Sequence, residues 1–337
     1  MSSLMGGVSR QSVAATYPSD RFYCLLDELQ LHLVPKQARN LLAGLPEYPQ
    51  DLILNPECEI LPASEFPKEV DDSAELREAF ATEGTIAWVR DRRGSVLPFW
   101  LGPSSVGIVN ELRVGKSDSS SPSSPIAKDL IAVLRAAGVL IARDQSARSQ
   151  QKDEMFAEAG AMFRSKGYAA LPALLHPFHV AALRRYYRNA IRGGRIRLGD
   201  AQSALRYAIH NEPVARFFHR QLTAIFSAIV GQPLKPSYVY LASYLSGAEL
   251  KKHHDREQCE FSITLALDYA PEPQFATPWP IYLEAESGTV AVYQALGDGL
   301  AYRGTRLAHY RNPLPAGQNS TSIFFHYVST EFAGPLN

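Results

Sequence analysis

Cysteine is scarce in this sequence: the chain has three in 337 residues, Cys24, Cys58 and Cys259. They lie far apart and are odd in number, which fits neither a disulfide scaffold nor a zinc site with four ligands. A reducing, cytoplasmic location is therefore expected. The first twenty residues also lack the apolar core of roughly 7 to 15 residues that a secretion signal needs.

Net charge and long apolar runs are absent as well. Lys plus Arg and Asp plus Glu both number 34, so the formal net charge is zero, and nothing favours binding to a nucleic-acid backbone. The apolar stretch at 131–141 contains Arg135 and is far shorter than the roughly 20 residues that span a bilayer. We expect neither nucleic acid nor a membrane as a partner.

The length and composition suit a two-domain globular protein. One domain takes roughly 100 to 200 residues, and hydrophobic residues make up 46% of the 337, enough for a sizeable core. The polar segment 143–152 is the expected boundary. It separates an N-terminal module, residues 1–150, from a second domain, residues 151–337.

The N-terminal module has a mixed α/β pattern. Apolar spacing over 22–42 predicts a helix, and two apolar runs within 84–101 flank a charged turn and predict a hairpin. The Ser/Pro-rich tract 116–125 predicts an exposed loop. Residues 126–142 predict a helix that ends at Gly138 and a short strand, an ending that winged-helix modules often have. The module either recruits substrate or shields the second domain and forms a homodimer.

The second half changes from helices to strands. Residues 154–166 and 177–192 have helical apolar spacing. After them come short apolar runs that turn residues separate, and such runs are typical of a sandwich or jelly roll. The predicted strands are 238–244, 261–269, 281–284, 289–293, 299–302, 307–310 and 321–328. No phosphate-binding or dinucleotide-binding glycine pattern occurs in the chain.

Candidate metal ligands lie at the end of one predicted strand. His253 and Asp255 are two residues apart, so alternation places both on one face. His309 lies 309 − 253 = 56 residues downstream on another strand, and a jelly roll brings such strands side by side. Two histidines and one carboxylate suit Fe(II) and leave coordination positions open. Of the other histidines, His254 and His326 are expected to be neighbouring or core residues, and His176, His179, His210 and His219 lack ligand spacing.

Several residues around these ligands share one frame with a known family. The segment SYLSGAELKKHHD places Tyr244, Gly247, His253 and Asp255 as in a Tyr-x-x-Gly-x-x-x-x-x-His-x-Asp run. The segment GDGLAYRGTRLAHYRNPLPAG has a Gly-Asp turn, then His309, then Pro and Gly. Both resemble the 2-oxoglutarate- and Fe(II)-dependent dioxygenases, in particular their prolyl-hydroxylase-like and phytanoyl-CoA-hydroxylase-like branches. The resemblance covers about 155–328.

The resemblance implies an α+β fold with a double-stranded β-helix, or jelly roll, and flanking helices. It also implies Fe(II), 2-oxoglutarate as cosubstrate, O₂, and hydroxylation of an unactivated C–H in a small-molecule or peptide-linked substrate. Two alternatives stay open: a cupin-like metal enzyme that does not use 2-oxoglutarate, and a non-catalytic binding protein on the same fold.

The chain departs from the family where a basic residue should bind the far carboxylate of 2-oxoglutarate, because Asn319 occupies that position. A buried carboxylate without a cation would cost several kcal/mol in order of magnitude, so another arginine is expected. Alternation from His309 favours Arg311, with Arg303 and Arg306 as alternatives. Tyr244 and Thr321 are expected to add hydroxyl donors, and Asn319 itself is a candidate cosubstrate contact. Arg256, Glu257 and the pair Trp279-Pro280 either line a substrate entrance or pack loops.

Overall fold

The protein is described by a computed structural model for residues 21–39, 41, 52–68, 70, 73–113, 125–143 and 147–336. Short 3-10 helices lie at Lys36–Ala38 and Glu257–Cys259. The helices are α1 (Ala74–Phe80), α2 (Pro103–Arg113), α3 (Pro125–Ala136), α4 (Ala147–Lys166), α5 (Pro177–Arg192), α6 (Pro213–Gln221) and α7 (Thr223–Val230). The strands are β1 (Leu52–Leu54), β2 (Cys58–Pro62), β3 (Thr85–Arg90), β4 (Val96–Leu101), β5 (Leu140–Ala142), β6 (Tyr168–Leu171), β7 (Arg197–Leu198), β8 (Arg206–His210), β9 (Leu234–Tyr244), β10 (Leu250–His253), β11 (Phe261–Ala270), β12 (Ile281–Ala285), β13 (Gly288–Val292), β14 (Gly299–Tyr302), β15 (His309–Arg311) and β16 (Asn319–Ser329).

Two antiparallel sheets dominate the second half of the chain. The major sheet has seven strands in the order β6-β14-β11-β16-β9-β8-β7, and the minor sheet has four in the order β10-β15-β12-β13. Apolar side chains from both sheets form one buried cluster, made of Ile281, Leu283, Leu300, Tyr302 and Leu307. The two sheets therefore pack face to face. Each sheet pairs strands that lie far apart in sequence. The runs predicted as strands all lie in these sheets, and the strand expected to end at the candidate metal ligands is β10, whereas β6, β7 and β8 were not predicted.

Helix α5 covers the outer face of the major sheet. Pro177 occupies its first turn, where the missing N–H costs nothing, and the His176 side chain caps it by accepting from the Phe178 N–H. Its inward face is apolar, but Arg184 is also buried and binds Asp268 of β11 through Nε at 2.9 Å. Arg188 binds the second oxygen of Asp268 at 2.6 Å. Helix α5 is thus fixed to the sheet by charge as well as by apolar packing.

The N-terminal module is built on the sheet β2-β3-β4 and the strand pair β1-β5. The predicted hairpin at 84–101 is confirmed as β3 and β4, and the predicted helix and strand at 126–142 are confirmed as α3 and β5. The helix predicted over 22–42 is wrong within the described residues. There the chain is mainly extended and turned, because the Leu26 N–H and the Cys24 C=O bond to the Trp100 backbone. The tract 116–124 lies outside the described residues.

The module and the second half share one apolar core. Phe22 contacts Trp100 of β4 and also Tyr186 and Phe218 of helices α5 and α6, with ring centroids 5.8 to 6.1 Å apart. The polar segment expected to separate the two halves lies partly in helix α4, which begins at Ala147. Among the described residues, no helix is both long and apolar enough to cross a membrane.

His179 of α5 links the two halves and is fully buried. Its Nε2 lies 3.0 Å from the carbonyl oxygen of Pro98 on β4, while its Nδ1 has no hydrogen-bond partner among the described residues. Burial lowers the pKa of His179 from 6.5 to about 3, with the nearby His176 adding to the effect. The imidazole therefore stays neutral in the folded protein as the pH falls.

We predict that His179 makes folding stability depend on pH. Below pH 6.5 the unfolded chain binds a proton that the folded chain does not bind until about pH 3, so stability falls as the pH decreases. One such group contributes a slope of about 1.4 kcal/mol per pH unit between about pH 6 and pH 4. The free energy of unfolding of the metal-free His179→Phe variant, measured with urea at several pH values, should change less steeply with pH by that amount. His32→Gln, at an exposed position, is the control, and an unchanged slope in His179→Phe would contradict the prediction.

Candidate functional site

Strands β10 and β15 bring His253 and His309 together. The two strands are antiparallel neighbours, and His253, the last residue of β10, pairs directly with His309, the first residue of β15. The imidazole ring centroids lie 4.4 Å apart. Asp255 follows β10 and is held by the hydrogen bond from its N–H to the Gly304 carbonyl, 2.9 Å. The three residues singled out in the sequence therefore converge at one end of the minor sheet.

The ligand atoms of this triad, His253, Asp255 and His309, face one another. Asp255 Oδ1 lies 3.6 Å from Nε2 of His253 and 3.6 Å from Nε2 of His309. All three donor atoms fall within 4.8 Å of one another. Nitrogen and oxygen donors bind a divalent ion at about 2.0–2.2 Å, so two ligands of one ion lie at most about 4.4 Å apart. The Asp255 separations fit a shared ion.

Backbone contacts fix which ring nitrogen of each histidine is free. Nδ1 of His253 lies 2.7 Å from the Lys251 carbonyl oxygen, and Nδ1 of His309 lies 3.0 Å from the Leu307 carbonyl oxygen. A carbonyl oxygen only accepts, so each Nδ1 carries the proton and each Nε2 has a free lone pair. Such a hydrogen bond also orients the ring of a metal-binding histidine. Both imidazoles are thus set to donate to a cation from Nε2.

Asp255 is positioned on its other side by neighbours of the major sheet. Ser262 donates to Asp255 Oδ2 at 3.2 Å and lies 2.8 Å from Nδ1 of the buried His326. Gly304 leaves the space that the carboxylate fills, because a Cβ there would overlap both Asp255 and the Cys259 carbonyl oxygen. Asp255 Oδ1 is therefore directed toward the histidines, while Oδ2 is held from behind.

The charges of the triad favour cation binding. Burial opposes ionisation of Asp255, but its contact with His253 at 3.6 Å and the other nearby histidines hold its pKa below 3.8. The contact with Asp255 raises the pKa of His253, whereas burial lowers the pKa of His309 below 6.5. At neutral pH the triad thus offers one carboxylate and, at His309, a neutral imidazole, which is the state that binds a metal ion.

Arg311 lies on the same strand as His309 and on the same face. It is 4% exposed, with Nη1 donating to the Trp279 carbonyl oxygen at 2.7 Å and its guanidinium 4.6 Å from the Trp279 ring. Its Nε has no hydrogen-bond partner, and no carboxylate in the described residues forms an ion pair with it. Burial lowers its pKa to about 10, so it is still charged at neutral pH. This is a buried cation that lacks an anion.

The hydroxyl residues expected to help Arg311 do not all share its face. Tyr244 is buried, lines the cavity beside the triad and packs on Trp279 at 5.2 Å. Thr321 and Asn319 lie on the opposite face of the major sheet, where Thr321 donates to Ser243 at 2.8 Å. Their expected role as cosubstrate contacts is wrong, because strand alternation turns them outward. Ser320, which pairs with Tyr244, faces inward instead.

The alternative arginines and the loop residues occupy other surroundings. Arg303 lies over the rings of Phe163 and Phe261, at 5.4 and 5.2 Å, and Arg306 is exposed. Trp279 is 3% exposed and donates from Nε1 to the Asn312 carbonyl at 2.7 Å, so it packs at the closed end and not at an entrance. Arg256 does line the cavity, whereas Glu257 does not.

The cavity beside the triad has a volume of about 780 Å³. The sequence patterns missed much of its lining, including Arg206, His210, Tyr238, Tyr240 and Tyr302. Tyr238 and Tyr240 could have been found, since they alternate with Tyr244 on the predicted strand β9. Arg206 and His210 lie on β8, which no pattern predicted. His254 is exposed at the rim, and His326 is a buried, hydrogen-bonded core residue, both as expected.

No protein-family model matches the chain, and no curated protein matches its sequence. Solved structures of low similarity match about half of it. The non-heme alpha ketoglutarate dependent epimerase SnoN from nogalamycin biosynthesis is 14% identical, with 52% of this chain and 82% of that chain covered and a TM-score of 0.44. A Pseudomonas putida prolyl-4-hydroxylase is 16% identical, with coverages of 52% and 99% and a TM-score of 0.43. HygX from Streptomyces hygroscopicus, solved with nickel, 2-oxoglutarate and hygromycin B, is 14% identical, with coverages of 52% and 88% and a TM-score of 0.43.

We predict that the triad binds one divalent ion. Losing an outer partner of a metal ligand typically weakens binding 10- to 100-fold, so replacing His253, Asp255 or His309 by Ala should weaken it by about 100-fold or more. Calorimetric titration with Co(II) or Fe(II) under anaerobic conditions measures this. His254→Ala is the matched control, because His254 lies between two ligands but is exposed and outside the donor set. Equal affinity in all four variants would contradict the assignment.

Gly304 provides a second test of how Asp255 is positioned. Gly304→Ala should displace the carboxylate and weaken metal binding by about 10- to 100-fold, as expected for loss of an orienting neighbour. Gly107→Ala is the control. Gly107 lies on helix α2, and a Cβ there would meet nothing within 4 Å. It should leave metal affinity unchanged. If Gly304→Ala folded and bound metal like the unaltered protein, Gly304 would have no role in holding Asp255.

Proposed function

We propose that this protein is a non-haem Fe(II)- and 2-oxoglutarate-dependent oxygenase that hydroxylates an unactivated C–H and releases succinate and CO₂. The observation that carries this proposal is a pair of complementary features close together in the fold, since His309 and Arg311 share strand β15. The triad presents three converging donors to a cation, and Arg311, two residues beyond His309, presents a buried guanidinium without an anion. The two facing antiparallel sheets support the double-stranded β-helix, or jelly roll, that such a site requires.

The donor set fits Fe(II) better than other common ions. Calcium and magnesium prefer oxygen ligands, structural zinc prefers four ligands that close its coordination sphere, and two imidazoles with one carboxylate leave positions open on iron. His253, Asp255 and His309 would hold the ion from one side. When bound, iron would supply the redox chemistry that couples O₂ to decarboxylation of 2-oxoglutarate.

Arg311 fits the far carboxylate of 2-oxoglutarate. Strands rise by about 3.3 Å per residue, so its Cα lies about 6.6 Å along β15 from that of His309. A five-carbon dicarboxylate is long enough to reach from the triad to the guanidinium. The buried rings of Tyr244 and Trp279 surround this end and exclude water, which strengthens the ion pair. The inward-facing Ser320 supplies a hydroxyl beside Tyr244.

The chain's own residues then have distinct roles. The triad orients the cosubstrate by its fixed donor directions, and Arg311 selects a dicarboxylate by charge. The cavity keeps the prime substrate next to Asp255 and away from bulk water, which prevents side reactions of a reactive site. Tyr302 closes the space behind His309, with ring centroids 4.8 Å apart. Desaturation or ring formation would use the same arrangement of groups.

The two alternative functions make different demands on these residues. A cupin-like enzyme that does not use 2-oxoglutarate would leave Arg311 without a ligand, and its charge would remain a cost of burial. A non-catalytic binding protein would have no need for the oriented Nε2 atoms of both histidines. The unpaired Arg311 therefore favours the 2-oxoglutarate-dependent oxygenase over both. Oxoglutarate-dependent O₂ uptake by the iron-loaded protein distinguishes the three.

We predict that Arg311→Met weakens 2-oxoglutarate binding by about 100-fold or more, because a buried carboxylate would lose its cation. Metal affinity should be unchanged. The ligand-free variant should not be less stable, since the substitution removes a buried charge that has no ion-pair partner among the described residues. Titration of the Ni(II)-loaded protein with 2-oxoglutarate and a thermal melt measure both effects.

The control for this prediction is Arg306→Met, the same substitution at an exposed arginine. It should bind 2-oxoglutarate like the unaltered protein. Arg311→Lys keeps the charge and should recover part of the lost affinity. If Arg311→Met formed succinate from 2-oxoglutarate at an unchanged KM, Arg311 would not be the cosubstrate residue.

A further inference from the structure

One wall of the cavity is made of aromatic rings. It is formed by the inward faces of strands β8, β9 and β16. The rings of His210 and Tyr240 lie 4.4 Å apart, those of Tyr238 and His326 lie 4.7 Å apart, and Phe324 lies 6.1 Å from Tyr240. This aromatic wall, His210, Tyr238, Tyr240, Phe324 and His326, lines the same cavity as the triad. It offers flat ring faces to whatever occupies the space.

The cavity also carries an excess of positive charge. Its lining includes four arginines and two aspartates, and both aspartates are already committed. Asp255 belongs to the triad. Asp200 accepts from Arg206 at 2.7 and 3.1 Å and from the Tyr240 hydroxyl at 2.6 Å. The aspartates therefore do not neutralise the arginines at the opening.

Arg256 and Arg197 are the cations available at the opening. Arg256 follows Asp255 directly, and its guanidinium lies 4.9 Å from the centre of the Tyr238 ring. Arg197 is exposed on β7, the edge strand of the major sheet. Neither forms an ion pair with a carboxylate within the part of the chain that the structure describes. A cation next to a flat ring face is suited to an aromatic acid, whose ring and charge it can bind together.

We propose that the prime substrate of this site is a small organic acid with a flat ring. The ring lies on the aromatic wall, and the acid group is bound by Arg256 and Arg197 at the opening. This inference rests on the oxygenase function proposed above, because it identifies the substrate class of the same site. The volume of about 780 Å³ lies within the roughly 300–1,000 Å³ of small-molecule pockets. It favours a free small molecule over a peptide-linked group.

The test compares acids with their neutral amides. The probes are 3-phenylpropanoate and 3-phenylpropanamide, with hexanoate as an acid that lacks a ring. Binding to the protein loaded with Mn(II) and 2-oxoglutarate is measured by the paramagnetic relaxation of the probe protons, which also reports their proximity to the triad. Charge-assisted hydrogen bonds contribute enough that the aromatic acid should bind at least about tenfold more tightly than its amide. It should also bind more tightly than hexanoate.

Variants identify the residues responsible. The double variant Arg197→Gln, Arg256→Gln should lose the preference for acid over amide, while Arg306→Gln, at an exposed arginine outside the cavity lining, should keep it. Equal binding of acid and amide to the unaltered protein would overturn the proposal, as would a preference that survives the double variant. Equal binding of hexanoate and the aromatic acid would contradict the part of the proposal that requires a flat ring.

Failure of the oxygenase function would be visible separately. Metal and 2-oxoglutarate binding are titrated in the same preparations, and the absence of either contradicts the function and not the substrate class. The acid preference is then measured in the metal-free protein by saturation transfer from protein to probe. A preference for the acid in the metal-free protein supports an anion-binding cavity. If the metal-free protein shows no such preference, the anion-binding cavity is overturned.

Discussion

The pairing of strands β10 and β15 is the constraint on which the site depends. It places His253 opposite His309, although 56 residues separate them in the chain. A shift of one residue would turn His309 and Arg311 together to the other face of the sheet. Because β15 has three residues, its register is also fixed from outside, by pairing of His309 with Leu283 and by the hydrogen bond from Trp279 to the Asn312 carbonyl. One short strand thus positions both a candidate metal ligand and the buried cation.

The electrostatics are balanced around Asp255 and unbalanced around Arg311. Asp255 is surrounded by two imidazoles and the Ser262 hydroxyl, whereas Arg311 contacts the Trp279 carbonyl oxygen and the Trp279 ring and has no carboxylate partner among the described residues. Burying a lone guanidinium is costly, so a fold retains one only where something offsets the cost. A divalent ion at the triad and a dicarboxylate that reaches Arg311 would satisfy both residues together. Neither partner alone does so.

The sequence predicts the strands and the triad better than it predicts which face a residue occupies. His253, Asp255 and His309 converge as the spacing and the family resemblance suggested. Thr321 and Asn319 were assigned to the wrong face because the inward side of β16 is set by its pairing with β9, where Ser320 lies opposite Tyr244. The segment 22–39 has helical spacing but lies beside β4, since the Trp100 backbone offers hydrogen bonds that local propensity cannot reveal. Tertiary pairing decided both cases.

The N-terminal module packs on the helices of the second half and away from the residues that line the cavity. Among the described residues, those that line the cavity all come from position 195 onward. The module instead contacts helices α5 and α6, through His179 with the Pro98 carbonyl and through Phe22 with Tyr186 and Phe218. Helix α5 in turn holds Asp268 of β11 through Arg184. These contacts favour a role in holding the helical layer on the major sheet over substrate recruitment. Under the proposed oxygenase function, substrate selection would then belong to the β7–β8 hairpin and to Arg256, which line the cavity.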